Sequence, residues 1–239
     1  MKYIFDKLKQ YGIRTFIKFA FGELKVILWN RYVYGSYSQS KEDLIIDKMI
    51  GYKKTGFYVD VGAFDPLRFS NTMRFYKRGW RGINIEPNTF HWHTFMAKRN
   101  RDINLNIGIA QKKGNLTYYH MDPATLSTFV KKQAEEYVKQ GFVLLETKKI
   151  PVLPLAGVLK KYAKREIIDF MSIDVEGFEM EVLKSNDWKI YRPNIICIEL
   201  ETPNEKNTEQ STAIRRYLEK NKYQWVMDNS ANAFYEDCI

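Results

Sequence analysis

The sequence predicts an α/β fold with a seven-stranded, mostly parallel sheet, an antiparallel closing hairpin and helices on both faces. Three observations lead there. Past Gly35, short apolar runs alternate with helical segments, the pattern of a parallel sheet covered on both sides. Two further strand-like runs end the chain as a hairpin. The 239 residues, 45% of them hydrophobic, suffice for one large core, and 5 Trp, 16 Tyr and 15 Phe argue against disorder.

The elements follow in order. Ser40 to Ile50 reads as a helix with Ser40, Glu42 and Asp43 in its first turn, and Gly51 and Gly56 bracket a turn. Phe57 to Val61 is a compact apolar strand. Asp65 is placed to cap the next helix with Pro66 at its first position, where a missing N–H costs nothing, and that helix runs through Met73 to Arg78 and stops at Gly79. Gly82 to Ile85 is the second strand, Glu86-Pro87-Asn88 leads into a helix through Lys98, and Ile103 to Ile107 is the third strand. Residues 108 to 166 are less regular, with strands at Leu116 to Tyr119 and Phe142 to Thr147 and helices at Lys131 to Lys139 and Pro154 to Tyr162. Ile167 to Ile173 resumes the sheet, Glu179 to Leu183 is helical, and Asn194 to Leu200 is the next strand. Ala213 to Asn221 is a helix, and Tyr223 to Val226 pairs with Ala233 to Tyr235.

The formal charge of +10 suits an acidic partner such as nucleic acid, anionic lipid or a charged glycan without choosing among them, and scattered lysines also read as a solvated surface. Cys197 and Cys238 form no C-x-x-C or Cys/His cluster, so neither a disulfide framework nor a structural zinc site is indicated. Cys197, inside an apolar run, is expected to be buried. The N-terminus lacks a signal peptide's apolar core, and no stretch reaches the ~18 charge-poor residues of a membrane span, so a cytoplasmic location is expected. Residues 1–35 read as an appendage to a domain over 36–239. Within it, residues 13–28 draw as an amphipathic helix, with Ile13, Phe16, Ile17, Ala20, Leu24 and Ile27 on one side and Arg14, Lys18 and Lys25 on another. Such a helix could lie on the cytoplasmic face of an anionic membrane or pack against the domain or a second subunit.

Ligands of open α/β sheets bind beyond the carboxyl ends of the strands, and Asp60, Gly62, Glu86, Asn106, Asp174 and Glu199 sit at those ends. The first turn has one glycine where dinucleotide binders use G-x-G-x-x-G to approach a pyrophosphate. A cofactor without phosphate relaxes that need to one close passage at Gly62. Glu86, at the end of the second strand, is placed to accept hydrogen bonds from a ribose diol.

An ordered set of motifs then makes a family resemblance specific. Ser38-Gln39-Ser40-Lys41-Glu42-Asp43, Tyr58-Val59-Asp60-Val61-Gly62-Ala63-Phe64-Asp65-Pro66, Ser70-Asn71-Thr72, Gly79-Trp80-Arg81-Gly82, Ile85-Glu86-Pro87-Asn88, Leu126-Ser127-Thr128, Ile173-Asp174-Val175-Glu176-Gly177-Phe178-Glu179 and Arg192-Pro193 together resemble the FkbM-type methyltransferase family over about residues 38 to 236. The resemblance implies a class I methyltransferase (Rossmann-like) fold, S-adenosylmethionine as cofactor, and O-methylation of hydroxyls, often on sugars of surface polysaccharides, lipopolysaccharides or related metabolites. It implies that Asp60, Gly62, Ala63 and Asp65 line the methionine end, that Glu86 holds the ribose hydroxyls, that Asn106 and Ile107 flank the adenine, and that Phe64, Asn71 and Pro87 also contact the cofactor. Lys41 stands where the family usually has glycine, which bears on the local turn before the first helix.

A hydroxyl oxygen must lose its proton as it attacks a methyl group, so a base is required. Asp174 and Glu176 are the candidates, Asp174 also as a cofactor contact; capping the helix that opens near Gly177 is their structural alternative. A divalent cation held by Asp174, Glu176 and Glu199 is a second, less favoured route. His91 and His93, two apart on a helix, diverge and do not form a metal pair; His120 is a weaker candidate base. Against a nucleic-acid methyltransferase stands the negative charge of Asp174 and Glu176, which repels phosphate. Against a NAD(P) oxidoreductase stand the missing glycines, and against a membrane-docked module with a degenerate fold stands the intact Asp60, Gly62 and Glu86 set.

Overall fold

The computed structural model of the chain describes residues 21–22, 24–200, 209–229 and 231–239. Most of the predicted 13–28 helix lies outside them; residues 24–29 are helical and run into a π-helical turn, Asn30–Tyr34. No helix among the described residues is long and apolar enough to cross a membrane.

The main sheet is built from β1 (Phe57–Val61), β2 (Arg81–Ile85), β3 (Ile103–Leu105), β7 (Phe170–Ile173), β8 (Ile195–Glu199), β9 (Tyr223–Asp228) and β10 (Asn232–Asp237). The order is β3-β2-β1-β7-β8-β10-β9. The first five strands run parallel, and β10 pairs antiparallel with β8 and β9. This is the Rossmann-like arrangement with a closing hairpin that the sequence predicts.

Strand alternation assigns the two faces. Val59, Val61, Met171, Ile173, Ile196 and Ile198 join one core, filled by Leu155, Val158 and Leu159 of the helix Leu155–Tyr162, Val182 and Leu183 of Glu179–Lys184, and Ile214 and Leu218 of Glu209–Lys220. Tyr58, Phe170, Ile195, Cys197 and Phe234 form the other, packed against Ile46 of α1 (Glu42–Met49) and Phe75 of α2 (Met73–Arg78). Cys197 is fully buried there.

The irregular segment folds as a second, three-stranded sheet, β4-β6-β5, from β4 (Gly108–Ile109), β5 (Gly114–Asp122) and β6 (Val143–Leu153). Between β5 and β6 lie a short 3-10 turn, Ala124–Leu126, and α4 (Lys131–Lys139), with α3 (Thr89–Lys98) preceding this segment in the chain. The helices after β6 are α5 (Leu155–Tyr162), α6 (Glu179–Lys184) and α7 (Glu209–Lys220).

Three local expectations are corrected. Asp65 and Pro66 open no helix: left-handed backbone at Gly62, Phe64 and Phe69 keeps residues 62–72 in turns. Asp65 Oδ1 instead accepts the N–H groups of Leu67 and Arg68 at 2.9 and 3.0 Å. The third strand ends at Leu105, since Asn106 Nδ2 donates to the main-chain oxygens of Glu86 and Pro87, both at 2.9 Å, and ties the chain to the end of β2. β6 is eleven residues long; its mostly exposed side chains lack the alternation that marks a half-buried strand.

Candidate active site

The carboxyl ends of β1, β2, β7 and β8 converge on a cavity of about 550 Å³, within the usual range for small-molecule sites. Asp60, Gly62, Ala63, Phe64, Asn71, Glu86, Pro87, Ile107, Asp174 and Glu176 all line it. Asp65 and Asn106 do not, and their side chains make the turn and wall contacts described above.

The floor begins at Gly62. Its φ is +81°, and a Cβ there would stand 1.7 Å from the main-chain oxygen of Asp174. Only glycine tolerates that conformation and that approach. The approach follows from the pairing of β1 with β7, continued by Asp174 N–H donating to Val61 O at 3.0 Å.

Glu86 clamps the first turn. Its Oε2 accepts the N–H of Phe64 at 2.8 Å and its Oε1 that of Asn88 at 2.7 Å, which leaves each oxygen a further lone pair. Burial pushes its pKa up to about 8. Asp60 accepts from Thr72 Oγ1 at 2.8 Å, and burial raises it to about 6. Behind this turn the fully buried Arg99 donates to Pro66 O, Tyr58 Oη and Ser70 Oγ at 3.0, 3.1 and 2.9 Å.

The opposite wall is acidic. Asp174 is open to the cavity but enclosed by the surrounding protein, and that enclosure raises its pKa; Glu199 is raised well above the usual carboxylate range by burial and by Asp174. Glu176 accepts from Tyr137 Oη at 2.6 Å, has a left-handed φ of 52°, and is pushed up to about 8 by burial and by Asp174. Its main-chain oxygen accepts from Thr128 Oγ1 at 2.8 Å, so α4 and the β5 side of the small sheet close onto the end of β7. Neither Asp174 nor Glu176 caps α6, which has no side-chain cap. Glu179 secures the loop instead, accepting from Val175 and Gly177 N–H at 3.2 and 3.1 Å. Among the described residues, one oxygen each of Asp174, Glu176 and Glu199 lie within 4.8 Å of one another, a donor set fit for a hard divalent cation.

Several wall residues carry no sequence signal of their own. His91 is 6% exposed, packs on Phe64 at 4.5 Å between ring centroids, and leaves Nδ1 without a partner; burial lowers it to about 4, so it is neutral at physiological pH. His93 is exposed, so the two histidines do diverge. His120 lies off the cavity, with Nε2 3.0 Å from Asn88 Nδ2. Tyr118, Phe129 and Phe178 form an aromatic run at 4.9 and 5.7 Å. That Phe129, Tyr137 and His91 share one cavity follows from the two sheets meeting, which no local motif reports.

The buried carboxyls set a pH dependence of stability. Between the unfolded value near 4.5 and the folded values near 7 to 8 of Glu86, Glu176 and Glu179, the folded chain holds protons that the unfolded chain has released. Their contribution is present below the unfolded pKa and is lost as pH rises through the folded ones. The melting temperature of the ligand-free protein is therefore expected to fall from pH 6.5 to 8.5 in scanning calorimetry; a rise across that window contradicts the assignment.

Residues 60–225, well over half of the chain, match the Methyltransferase FkbM domain family. No curated protein matches the chain in sequence. Among solved structures, the METTL16 MTase domain superposes with a TM-score of 0.47 at 9% identity, covering 90% of this chain and 78% of that one. The Burkholderia thailandensis 1,6-didemethyltoxoflavin-N1-methyltransferase, with 1,6-didemethyltoxoflavin and S-adenosylhomocysteine bound, gives 0.45 at 9% identity, covering 90% and 84%. An O-methyltransferase from Bacillus cereus gives 0.39 at 12% identity, covering 83% and 80%.

Proposed function

The chain belongs to the FkbM methyltransferase family, and from that premise we propose that it moves a methyl group from S-adenosylmethionine to a hydroxyl oxygen, that of a sugar in a surface glycan, lipopolysaccharide or related metabolite. The observation that carries this reading is one cavity joining the lone close-packed glycine of the first turn, the acid closing β2 and the acidic loop after β7. S-adenosylmethionine supplies an electrophilic methyl on a positively charged sulfur, and a carboxylate-lined cavity suits that charge.

In this reading Glu86 accepts the ribose hydroxyls on its free lone pairs. Pro87 and Ile107 border the adenine, while Asp60, Gly62, Ala63, Phe64 and Asn71 surround the amino-acid end. Asp65 and Asn106 act one step back, holding the turn and the wall. Glu176 takes the hydroxyl proton. Its pKa near 8 sits close to working pH, where a general base is most effective, and Tyr137 fixes its carboxylate. Asp174, nearer the floor, contacts the cofactor. The same acidic wall disfavours a nucleic-acid acceptor, whose phosphate backbone it would repel. Residues 1–34 supply a peripheral contact with an anionic membrane on the cytoplasmic side.

Calorimetry with S-adenosylmethionine and, separately, NAD is the test. Binding of the first and not the second is expected, and absence of S-adenosylmethionine binding overturns the reading. A labelled-methyl assay over sugar nucleotides and lipid-linked glycans then identifies the acceptor. The metal-assisted variant rests on the three clustered oxygens of Asp174, Glu176 and Glu199; full activity in excess chelator removes it.

A further inference from the structure

The described residues of 21–34 leave the domain with most of their large apolar side chains uncovered. Leu24, Leu28, Trp29, Tyr32 and Val33 are 48%, 44%, 56%, 81% and 53% exposed; at about 100° per residue they fall within one half of the helical segment, a face that the domain leaves uncovered. The segment is nevertheless fixed where it meets the domain. Asn30 is buried and donates to Ser38 O and Gln39 O at 3.1 and 2.8 Å, and Arg74 donates to Gly35 O at 3.1 Å.

Its outer end adjoins the active site, since Gly22 and Val26 line the same cavity as Glu86 and Asp174. The charge of the sequence is also one-sided. The first 35 residues carry seven Lys/Arg against two Asp/Glu, half of the chain's net +10, with five of the seven ahead of residue 21; in the described segment Lys25 is exposed among the apolar side chains. Uncovered Trp and Tyr together with basic residues are the chemistry of the lipid headgroup region, where aromatic rings sit at the interface and cations meet anionic lipids. A purely apolar protein face, such as a second copy of this helix, would account for the apolar side chains but not for the concentration of positive charge.

We propose that residues 21–34 seat the protein on an anionic phospholipid bilayer with the mouth of the active-site cavity beside the lipid surface. An acceptor anchored in that surface then reaches the cavity without the protein leaving the membrane, a consequence that rests on the methyl-transfer reading, whereas the docking itself does not.

The full chain is tested by co-sedimentation with vesicles of phosphatidylcholine alone and of an equal mixture of phosphatidylcholine and phosphatidylglycerol, with S-adenosylmethionine binding measured on the same preparation. Binding to the anionic vesicles only, weakened by added salt, is expected. Lys25→Glu is expected to weaken it by about fivefold or more, and the Trp29→Ser/Tyr32→Ser pair to lower it further, with S-adenosylmethionine binding unchanged in both. These residues are exposed and outside the cavity, so the variants have no buried contact to lose. The proposal is overturned if the chain binds no anionic vesicles, if the substitutions leave vesicle binding as it was, or if sedimentation velocity shows these residues covered by a second copy of the chain. Vesicle binding without S-adenosylmethionine binding leaves docking intact and removes the methyl-transfer reading; the reverse result removes docking alone.

Discussion

Gly62→Ala is expected to destabilise the protein by about 3 kcal/mol or more and to abolish S-adenosylmethionine binding. Two penalties coincide. The backbone at φ +81° is strained for any residue with a Cβ. The added carbon would also stand 1.7 Å from the Asp174 oxygen and 2.8 Å from its carbonyl carbon. Both are main-chain atoms held by the β1–β7 pairing, so neither can swing aside as a side-chain tip would, and overpacking of this kind sits at the high end of single-substitution costs. Gly114→Ala, where a Cβ would meet nothing within 4 Å, is the control and is expected to stay within about 0.5 kcal/mol of the parent. Urea unfolding and calorimetry measure both effects. A Gly62→Ala protein as stable as the control would refute the close-approach argument.

Glu176→Gln is expected to lower kcat by about 10²–10⁴-fold with little change in the affinity for S-adenosylmethionine. The amide keeps the shape and the Tyr137 hydrogen bond but cannot accept a proton. The pH profile makes the prediction sharper. A base must be ionised to work, so kcat/KM is expected to rise with pH through about 8, the value of Glu176 without a bound cation. A cationic cofactor nearby favours the carboxylate and moves the corresponding limb of kcat to lower pH. Glu176→Gln should erase that limb from both profiles. Asp174→Asn should instead raise the dissociation constant for S-adenosylmethionine. Should the two substitutions exchange these effects, Asp174 is the base.

Much of the fold is legible in the chain because the central strands are apolar on both faces. β1 reads Phe-Tyr-Val-Asp-Val, every residue buried, and its limits follow from the sequence alone. The same holds for α4, Lys131–Lys139, closed by the turn that Gly141 permits. Legibility fails where a third party decides the outcome. The turn after β1 resembles a capped helix start until Glu86, 22 residues on, captures the Phe64 N–H. Lys41 has a left-handed backbone at φ 68°, a conformation that favours glycine; its ammonium lies 3.6 Å from the centre of the Tyr34 ring, a contact no local pattern announces. Sequence reasoning brings Asp174, Glu176 and Glu199 to neighbouring strand ends, but not the raised pKa values that their crowding produces or the replacement of both candidate caps by Glu179. Those depend on desolvation, which exists only once the small sheet has closed over the large one.

The excess of carboxylates around the cavity has a bearing on turnover. Methyl transfer, as proposed, erases the sulfonium's positive charge and leaves an uncharged thioether. Whatever share of affinity came from attraction to the acidic wall vanishes at that moment, so the spent molecule departs more readily than its precursor. Inhibition by accumulated S-adenosylhomocysteine should accordingly be mild, and milder at alkaline pH, where more of the wall is ionised and the contrast between the two occupants is greatest.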